Sequence, residues 1–274
     1  MNRYFLPLLL FFACVCSPVM SHAQEYPENG PYKELYEDSD QVRFEASYSG
    51  GELNGDFRQY FPSGRLMAVG AYKNGKYHGT YKEYFESGSL RIEENYKDGA
   101  LDGRSQEYFE SEHLKSDERY RNDALDGTST YYFDNGKVHY VSRYKMGDLD
   151  GESKEYDENG VLRSEISYKG DEINGAVKEF DEEGREKTIS SYANGVKQGE
   201  SRIFFDTGEV EWILQFKDDL LEGVSKLYSK DGRLDKECTY AAGVEQSCKE
   251  HSSEAPRSAP ADGKGQNSKE QMAK

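Results

Sequence analysis

Apolar residues are scarce in this sequence, and long apolar runs are absent beyond its N-terminal end. Hydrophobic residues make up 35% of the chain, whereas globular domains usually contain roughly 45–50%. The longest apolar stretch, residues 5–15, is shorter than the roughly 20 residues that a transmembrane helix needs. The composition therefore predicts a thin core and no membrane span in the mature chain. Each structural unit is expected to bury only a few large side chains, mostly Tyr and Leu.

Residue patterns typical of catalytic or metal sites are also missing. The histidines beyond the N-terminal segment, His78, His113, His139 and His251, occupy unrelated positions. No Gly-x-Ser-x-Gly pattern marks a nucleophile elbow. Acidic stretches such as residues 148–152 do not fit the calcium-binding loop of an EF-hand. The sequence thus predicts a protein that is not an enzyme and that has no cofactor and no metal.

The dominant positive feature is a repeat of 24 residues. A glycine recurs every 24 residues. The positions five and seventeen residues after this glycine are aromatic in every copy, for example Tyr60 and Tyr72 after Gly55. A fixed period of this length is typical of one small unit stacked many times. The glycines that define the period are Gly55, Gly79, Gly103, Gly127, Gly151, Gly175, Gly199 and Gly223.

Each unit reads as two strands and two turns. Residues 57–61 and 66–73 suit strands, and the positions eleven, thirteen, fifteen and seventeen after the glycine are expected on one face. Pro62-Ser63-Gly64 and Asn74-Gly75 are turn sequences, and the eight periodic glycines are assigned to structural turns. The prediction is an all-β fold, an elongated antiparallel β-hairpin repeat of about nine units, in which residues 30–54 form an atypical capping unit.

The two ends of the chain differ from the repeats. Arg3, the apolar stretch and Ser21-His22-Ala23 predict a signal peptide over residues 1–23, followed by the repeat domain over residues 24–248. The protein is therefore expected to be periplasmic or secreted. A membrane anchor, or a lipoprotein acylated at Cys14 or Cys16, is the alternative. Residues 249–274 lack aromatic side chains and are predicted to be a disordered tail.

Two cysteines remain after the signal peptide, Cys238 and Cys248. In an exported chain they are a candidate disulfide, which would fasten the last unit; two unpaired thiols are the alternative. Zinc is not expected, because two cysteines do not complete a four-ligand site.

The repeats carry a large negative charge. The formal net charge of the chain is −17, which disfavours nucleic acid and anionic lipid as partners. It favours a basic protein partner, or serves only to keep a long sheet soluble. The chain is expected to be a monomer.

Phenylalanines directly follow the aromatic position five in several units, and they suggest a contact surface. Because neighbouring strand residues point to opposite faces, one aromatic column is expected to meet solvent. Trp212 is either buried against the neighbouring unit or an anchor for a partner. The candidate partner-binding face comprises Phe61, Phe85, Phe109, Phe133 and Trp212. The same face could instead bind carbohydrate.

The repeat resembles the MORN family. The segments that carry the resemblance are residues 72–79, 96–103 and 144–151, which read Tyr-Lys-x-Gly-x-x-x-Gly. The pattern is most similar to the bacterial variant in YwqK-type antitoxins. The resemblance implies an elongated antiparallel sheet and a scaffold for protein partners. The expected function is thus a non-catalytic protein-binding scaffold in the cell envelope, with an antitoxin-like or immunity-like role; a surface or carbohydrate-binding module is the alternative.

Overall fold

A computed structural model describes residues 26–251 of the chain. All regular secondary structure in this range is β-strand, and the strands form one antiparallel sheet. The predicted signal peptide and almost all of the predicted tail lie outside the described residues. The all-β hairpin repeat predicted from the 24-residue period is confirmed.

The 23 strands follow one another along the chain. Their bounds are β1 Gly30–Leu35, β2 Val42–Ser49, β3 Glu52–Leu53, β4 Gly55–Tyr60, β5 Leu66–Lys73, β6 Lys76–Tyr77, β7 Gly79–Tyr84, β8 Leu90–Lys97, β9 Ala100–Tyr108, β10 Leu114–Arg121, β11 Ala124–Leu125, β12 Gly127–Tyr132, β13 Val138–Lys145, β14 Asp148–Tyr156, β15 Leu162–Lys169, β16 Glu172–Phe180, β17 Glu186–Ala193, β18 Val196–Phe204, β19 Val210–Lys217, β20 Leu220–Leu221, β21 Gly223–Tyr228, β22 Leu234–Ala241 and β23 Val244–Glu250.

The topology is a simple meander in which each strand pairs with the next. The two-residue strands β3, β6, β11 and β20 pair with the same neighbour as the strand that follows them, so the 23 strands occupy 19 positions across the sheet. At about 4.8 Å per position the described sheet is on the order of 85 Å long.

Hairpin turns on one long edge of the sheet bind one another. In the first repeat Asn74 and Gly75 have φ values of 49° and 74°, a conformation that short hairpins favour. The N–H of Gly75 donates to the carbonyl of Leu53 in the preceding turn (2.9 Å). Equivalent bonds join every later pair of turns, for example Gly99 to Tyr77 (2.9 Å). Neighbouring units are therefore coupled outside the strand ladder as well as within it.

The eight periodic glycines do not lie in the turns, contrary to the prediction. Each lies within or at the start of a strand, opposite the tyrosine or phenylalanine seventeen positions later, as Gly55 lies opposite Tyr72. Their φ values are positive, and the pairing with the preceding strand is irregular here, as between Ile166 and Tyr168. At Gly175 (φ 121°) an added Cβ would stand 2.9 Å from the Cβ of Ser167. Glycine is needed because the chain makes a bulge against a close neighbour.

A second bulge corrects the predicted face of the position eleven after the glycine. Gln59 pairs with Ala68, but Tyr60 pairs with Leu66, so Met67 is an extra residue. The same irregularity recurs in each hairpin, for example between Glu83 and Tyr84. The extra residue moves position eleven out of alternation with positions thirteen, fifteen and seventeen, which do share a face.

Apart from Phe57, the most deeply buried side chains are small, and they are not the Tyr and Leu that the sequence analysis expected. Among the described residues the buried apolar side chains are Ala46, Phe57, Ala68 and Cys238. The buried polar ones are all serines, Ser105, Ser116, Ser129, Ser142, Ser153, Ser190, Ser201 and Ser225. Within residues 26–251 the sheet has no covering layer, so most large side chains keep one side in solvent. Phe57 is the exception, because its ring packs closely over Gly70. The other fully shielded side chains are small.

Candidate functional site

The predicted phenylalanine column lies in the hairpin turns along the other long edge of the sheet. Phe61, Phe85, Phe109 and Phe133 each begin such a turn and are half-buried. In each, the backbone N–H bonds to the carbonyl four residues on, as Phe61 does to Arg65 (2.8 Å). These four side chains therefore form a row, one per hairpin, with about 10 Å between neighbours.

The replacement of phenylalanine by aspartate in the middle units has a local structural cause. The Oδ1 atom of Asp157 accepts hydrogen bonds from the N–H groups of Asn159 (2.9 Å) and Val161 (2.8 Å). Asp181 makes the equivalent bonds in the next hairpin. Aspartate thus stabilises the turn through its carboxylate. The interruption of the column is no separate sign of function.

Trp212 lies apart from the phenylalanine row. It is half-buried on a face of the sheet in β19, where it pairs with Ile203 on one side and Leu227 on the other. The five predicted residues therefore do not form one continuous surface. The four phenylalanines share an edge, and Trp212 belongs to an apolar patch on the sheet several units later.

The two faces of the sheet have different chemistry. We call one the tyrosine face, defined by Tyr72, Tyr96, Tyr120, Tyr144, Tyr168 and Tyr192. We call the opposite one the ion-pair face, defined by the cross-strand pairs Lys82–Glu93 (3.1 Å), Arg104–Asp117 (2.7 Å) and Lys154–Glu165 (3.5 Å). Exposed pairs of this kind contribute about 0–1 kcal/mol each. Their main effect is that the carboxylates of the ion-pair face are largely neutralised by adjacent cations.

An aromatic cluster covers the first units of the tyrosine face. Ring centroids lie 4.6 Å apart for Tyr72 and Tyr77 and 4.8 Å apart for Phe57 and Tyr72. Phe57 is 1% exposed, whereas Tyr26 at the end of the cluster is 58% exposed. Burial raises the pKa of Tyr72. The cluster comprises Tyr26, Tyr32, Phe44, Tyr48, Phe57, Tyr72, Tyr77, Tyr81 and Tyr96.

Directly beside the aromatic cluster, tyrosine hydroxyls hold two glutamates. Tyr96 donates to Glu94 (2.7 Å), and Tyr120 donates to Glu118 (3.2 Å). Tyr131, from the next strand, donates to the second carboxylate oxygen of Glu118. We call these five residues the Glu–Tyr cluster. All five are half-buried.

The carboxylates around the Glu–Tyr cluster are only partly neutralised. Glu83 pairs with Arg91 (2.7 Å) and Glu107 with Lys115 (2.8 Å). Among residues 26–251, no salt bridge joins Glu94 or Glu118 to a cation. Burial, reinforced by the neighbouring glutamates, raises the pKa of the Glu94 carboxyl despite its bond to Tyr96. The cluster is a site where negative charge is held in place without a cation.

Sequence reasoning did not identify the Glu–Tyr cluster. The sequence does contain one indication of this cluster: glutamate occupies position fifteen in two consecutive units, at Glu94 and Glu118. Positions fifteen and seventeen were already expected on one face, but recognising the cluster also required knowing that Tyr131 of the next strand lies beside Glu118 on that face. The bulges that set this register are not visible in the residue pattern.

At the end of the sheet, Cys238 and Cys248 are opposite each other in β22 and β23 and are joined as a disulfide, with Cα atoms 4.1 Å apart. Glu245 lies close to the two sulfur atoms. These three are the only grouping of potential metal ligands within the described part of the chain. Because both sulfur atoms are bonded to each other, the group does not provide thiolate ligands.

Three segments of the chain match a known repeat family. Residues 77–98, 125–146 and 149–169 match the family described as MORN repeat variant. None of the curated proteins compared with the chain matches it. Within residues 26–251 there is no helix of the length and hydropathy required to span a membrane.

Solved structures resemble the chain only weakly. A complex titled TcdB2-TccC3-Cdc42 shares 13% identity over 74% of this chain and 13% of that chain, with a TM-score of 0.19. A porin-like protein from Bacteroides uniformis shares 13% identity over 79% of this chain and 92% of its own, with a TM-score of 0.18. The chain thus spans about an eighth of the first of these. Likenesses of this size carry no functional argument.

Proposed function

We propose that the chain is a non-catalytic, protein-binding repeat scaffold that is exported to the cell envelope and acts as a monomer. The observation that carries the proposal is a single-layer sheet of MORN-type repeats whose tyrosine face has aromatic and carboxylate side chains and, within residues 26–251, no covering layer. With a net charge of −17, the scaffold favours a basic protein partner.

Affinity capture tests the scaffold role. The full chain would be immobilised and exposed to envelope and secreted fractions of the native host at low and at high salt. A basic protein retained at low salt and released at high salt is expected, because screening weakens attraction between exposed charges. Fractions that yield no retained protein at low salt would contradict the proposal.

Export is proposed on the N-terminal sequence alone. Fractionation of the native host followed by N-terminal sequencing is expected to find the protein outside the cytoplasm, beginning at Gln24. A cytoplasmic protein that begins at Met1 would contradict export. It would also remove the reason to restrict a toxin-neutralising role to the envelope.

An immunity-like role is the finer form of the proposal. The MORN resemblance suggests it, and none of the matches described above names an antitoxin. A toxin partner should be captured in stoichiometric complex and lose its toxicity when the chain is co-expressed in the same compartment. Capture of a partner whose activity is unchanged would leave a scaffold without an immunity role.

Carbohydrate binding is the second candidate, favoured by the exposed ring of Tyr26 at the end of the aromatic cluster. Aromatic rings with one free face can stack on sugar rings. A glycan array with the full chain tests this. Binding lost on Tyr26→Ala or Phe85→Ala would support the candidate and show which surface is used, whereas binding unaffected by either change would reject both surfaces.

A further inference from the structure

A row of paired residues crosses the tyrosine face through the Glu–Tyr cluster. Glu94 pairs with Ser105, and Ser105 pairs with Glu118 on the following strand. Ser105 is 8% exposed. Ser105 is therefore a small, shielded side chain with a glutamate on each side.

A buried hydroxyl next to this row has no hydrogen-bond partner within residues 26–251. Ser116 pairs with Tyr131 and Asp117 with Thr130, and continuing this register places Ser129 opposite Glu118. Ser129 projects from the same face as Tyr131, two residues later, whose hydroxyl donates to Glu118. Ser129 is 1% exposed, and its Oγ atom has no hydrogen-bond partner among the described residues. Such an atom costs free energy unless something else satisfies it.

The glutamates around Ser105 favour binding of a cation. Glu94 is surrounded by Glu83, Glu107 and Glu118, which disfavour its charged form. The hydroxyls of Tyr96 and Tyr120 hold the two free carboxylates in fixed positions. Guanidinium and ammonium groups bind well both to carboxylates and to the faces of aromatic rings. The aromatic cluster adjoins this site at Tyr96.

The spacing of the glutamates indicates the form of the ligand. Glu94 and Glu118 are separated by two strand positions, or about 9.6 Å. A polyproline II segment rises about 3.1 Å per residue and presents every third side chain on one side, so residues three apart are about 9.3 Å apart. Two cationic side chains at this interval would reach both glutamates at once.

We infer that the tyrosine face at Glu94, Ser105 and Glu118 binds an extended segment of a partner protein that carries arginine or lysine at every third residue. This inference rests on the proposed scaffold function and names its binding surface. The Phe61 to Phe133 row of turns is not part of that surface.

A titration with defined peptides tests the inference. The probe is a peptide of about twelve residues in the repeat Arg-Pro-Pro, which extends over about 40 Å and so spans the site. Its affinity for the full chain would be measured by fluorescence anisotropy. A peptide of the same length with glutamine in place of arginine is the neutral control, and one with the same composition but clustered arginines tests the spacing.

Two double variants distinguish the faces. Glu94→Gln with Glu118→Gln removes both carboxylates of the Glu–Tyr cluster. Glu93→Gln with Asp117→Asn removes the same charge from the adjacent residues of the same strands, whose side chains lie on the ion-pair face. Thermal unfolding of both variants would confirm that they are folded.

The first double variant is expected to weaken binding of the Arg-Pro-Pro peptide at least about tenfold, and the second less than about twofold. Equal losses for the two variants, or equal binding of the arginine and glutamine peptides, would overturn the inference. Equal binding of the clustered peptide would overturn the proposed spacing. A natural partner that is captured by both variants alike would overturn the surface but leave the scaffold function standing.

Discussion

Asp171 and Leu149 bind each other twice across adjacent hairpin turns. The N–H of Asp171 donates to the carbonyl of Leu149 (3.0 Å), and the N–H of Leu149 donates to Oδ1 of Asp171 (2.7 Å). Asp123 with Leu101 and Asp219 with Lys197 repeat this arrangement. The three aspartates replace the glycine of other turns and have φ values of 65–66°. Their carboxylate bonds offset the cost of a conformation that favours glycine.

Removing this carboxylate should therefore weaken the stack. Asp171→Ala keeps the positive φ but loses the acceptor, and we expect the free energy of unfolding to fall by about 1 kcal/mol. Asp171→Asn keeps an acceptor oxygen and should lose less than about half of that. Urea denaturation of the full chain measures both, and equal losses would show that the carboxylate bond contributes nothing.

Glycine at the strand bulge should be harder to replace than glycine in a turn. Gly175→Ala places a Cβ 2.9 Å from that of Ser167 at φ 121°, and we expect a loss of about 2–3 kcal/mol. Gly195→Ala in a turn, at φ 77° with nothing within 4 Å, should cost about 1 kcal/mol. Urea denaturation of the two variants measures both losses. A larger loss for Gly195→Ala than for Gly175→Ala would contradict the structural role of the bulge.

The elevated pKa of Glu94 predicts a pH-dependent effect on stability. A carboxyl whose pKa is raised on folding contributes stability below its unfolded pKa, and that stability is lost as the pH rises through the folded value. Glu94→Gln should therefore be more stable than the parent chain at neutral pH, and this advantage should vanish in acid.

The pKa of the Asp117 carboxyl is shifted in the opposite direction. Its hydrogen bonds to Arg104 lower the pKa of its carboxyl, so it contributes stability above its unfolded pKa that is lost as the pH falls. Asp117→Asn should be less stable than the parent at neutral pH, and the difference should disappear in acid. Thermal melts at several pH values test both variants; differences of the same sign would refute the assignment.

The disulfide should act only on the end of the stack. Cys238 and Cys248 close a loop with a sequence separation of 10, which corresponds to about 2–3 kcal/mol of chain entropy. Because stability in repeat proteins is mainly local, replacing both cysteines with serine should speed hydrogen exchange in β22 and β23 and leave β4 to β8 unchanged. Uniform acceleration across the sheet would argue for a single cooperative unit.

Much of the fold was predictable because it repeats. Position seventeen is aromatic in every unit, and turn residues such as Asn74-Gly75 recur at fixed intervals. Strand Leu66–Lys73 has the predicted bounds. A single short segment is difficult to assign as a strand, but the same pattern in eight copies makes the assignment secure.

What could not be predicted depends on the bulges. An extra residue such as Met67 reverses the face of every position before it, and the repeat pattern does not reveal which residue is extra. The buried serines and the Glu–Tyr cluster follow from that register. The phenylalanine row was expected on a strand face, but the four side chains lie in turns at the sheet edge. This turn position explains the interruption of the row without reference to a partner.

Tyrosine resonances provide the most direct test of the central claim, that a cationic protein segment binds the tyrosine face. Tyr96, Tyr120 and Tyr131 belong to the Glu–Tyr cluster, whereas Tyr84, Tyr108 and Tyr132 occupy position five. Tyr108 lies near Arg104 and Asp117 on the ion-pair face. With ¹³C-labelled tyrosine, titration of the Arg-Pro-Pro peptide should shift the first three resonances and leave the other three unchanged. Shifts confined to Tyr84, Tyr108 and Tyr132, or no shifts at all, would contradict the account.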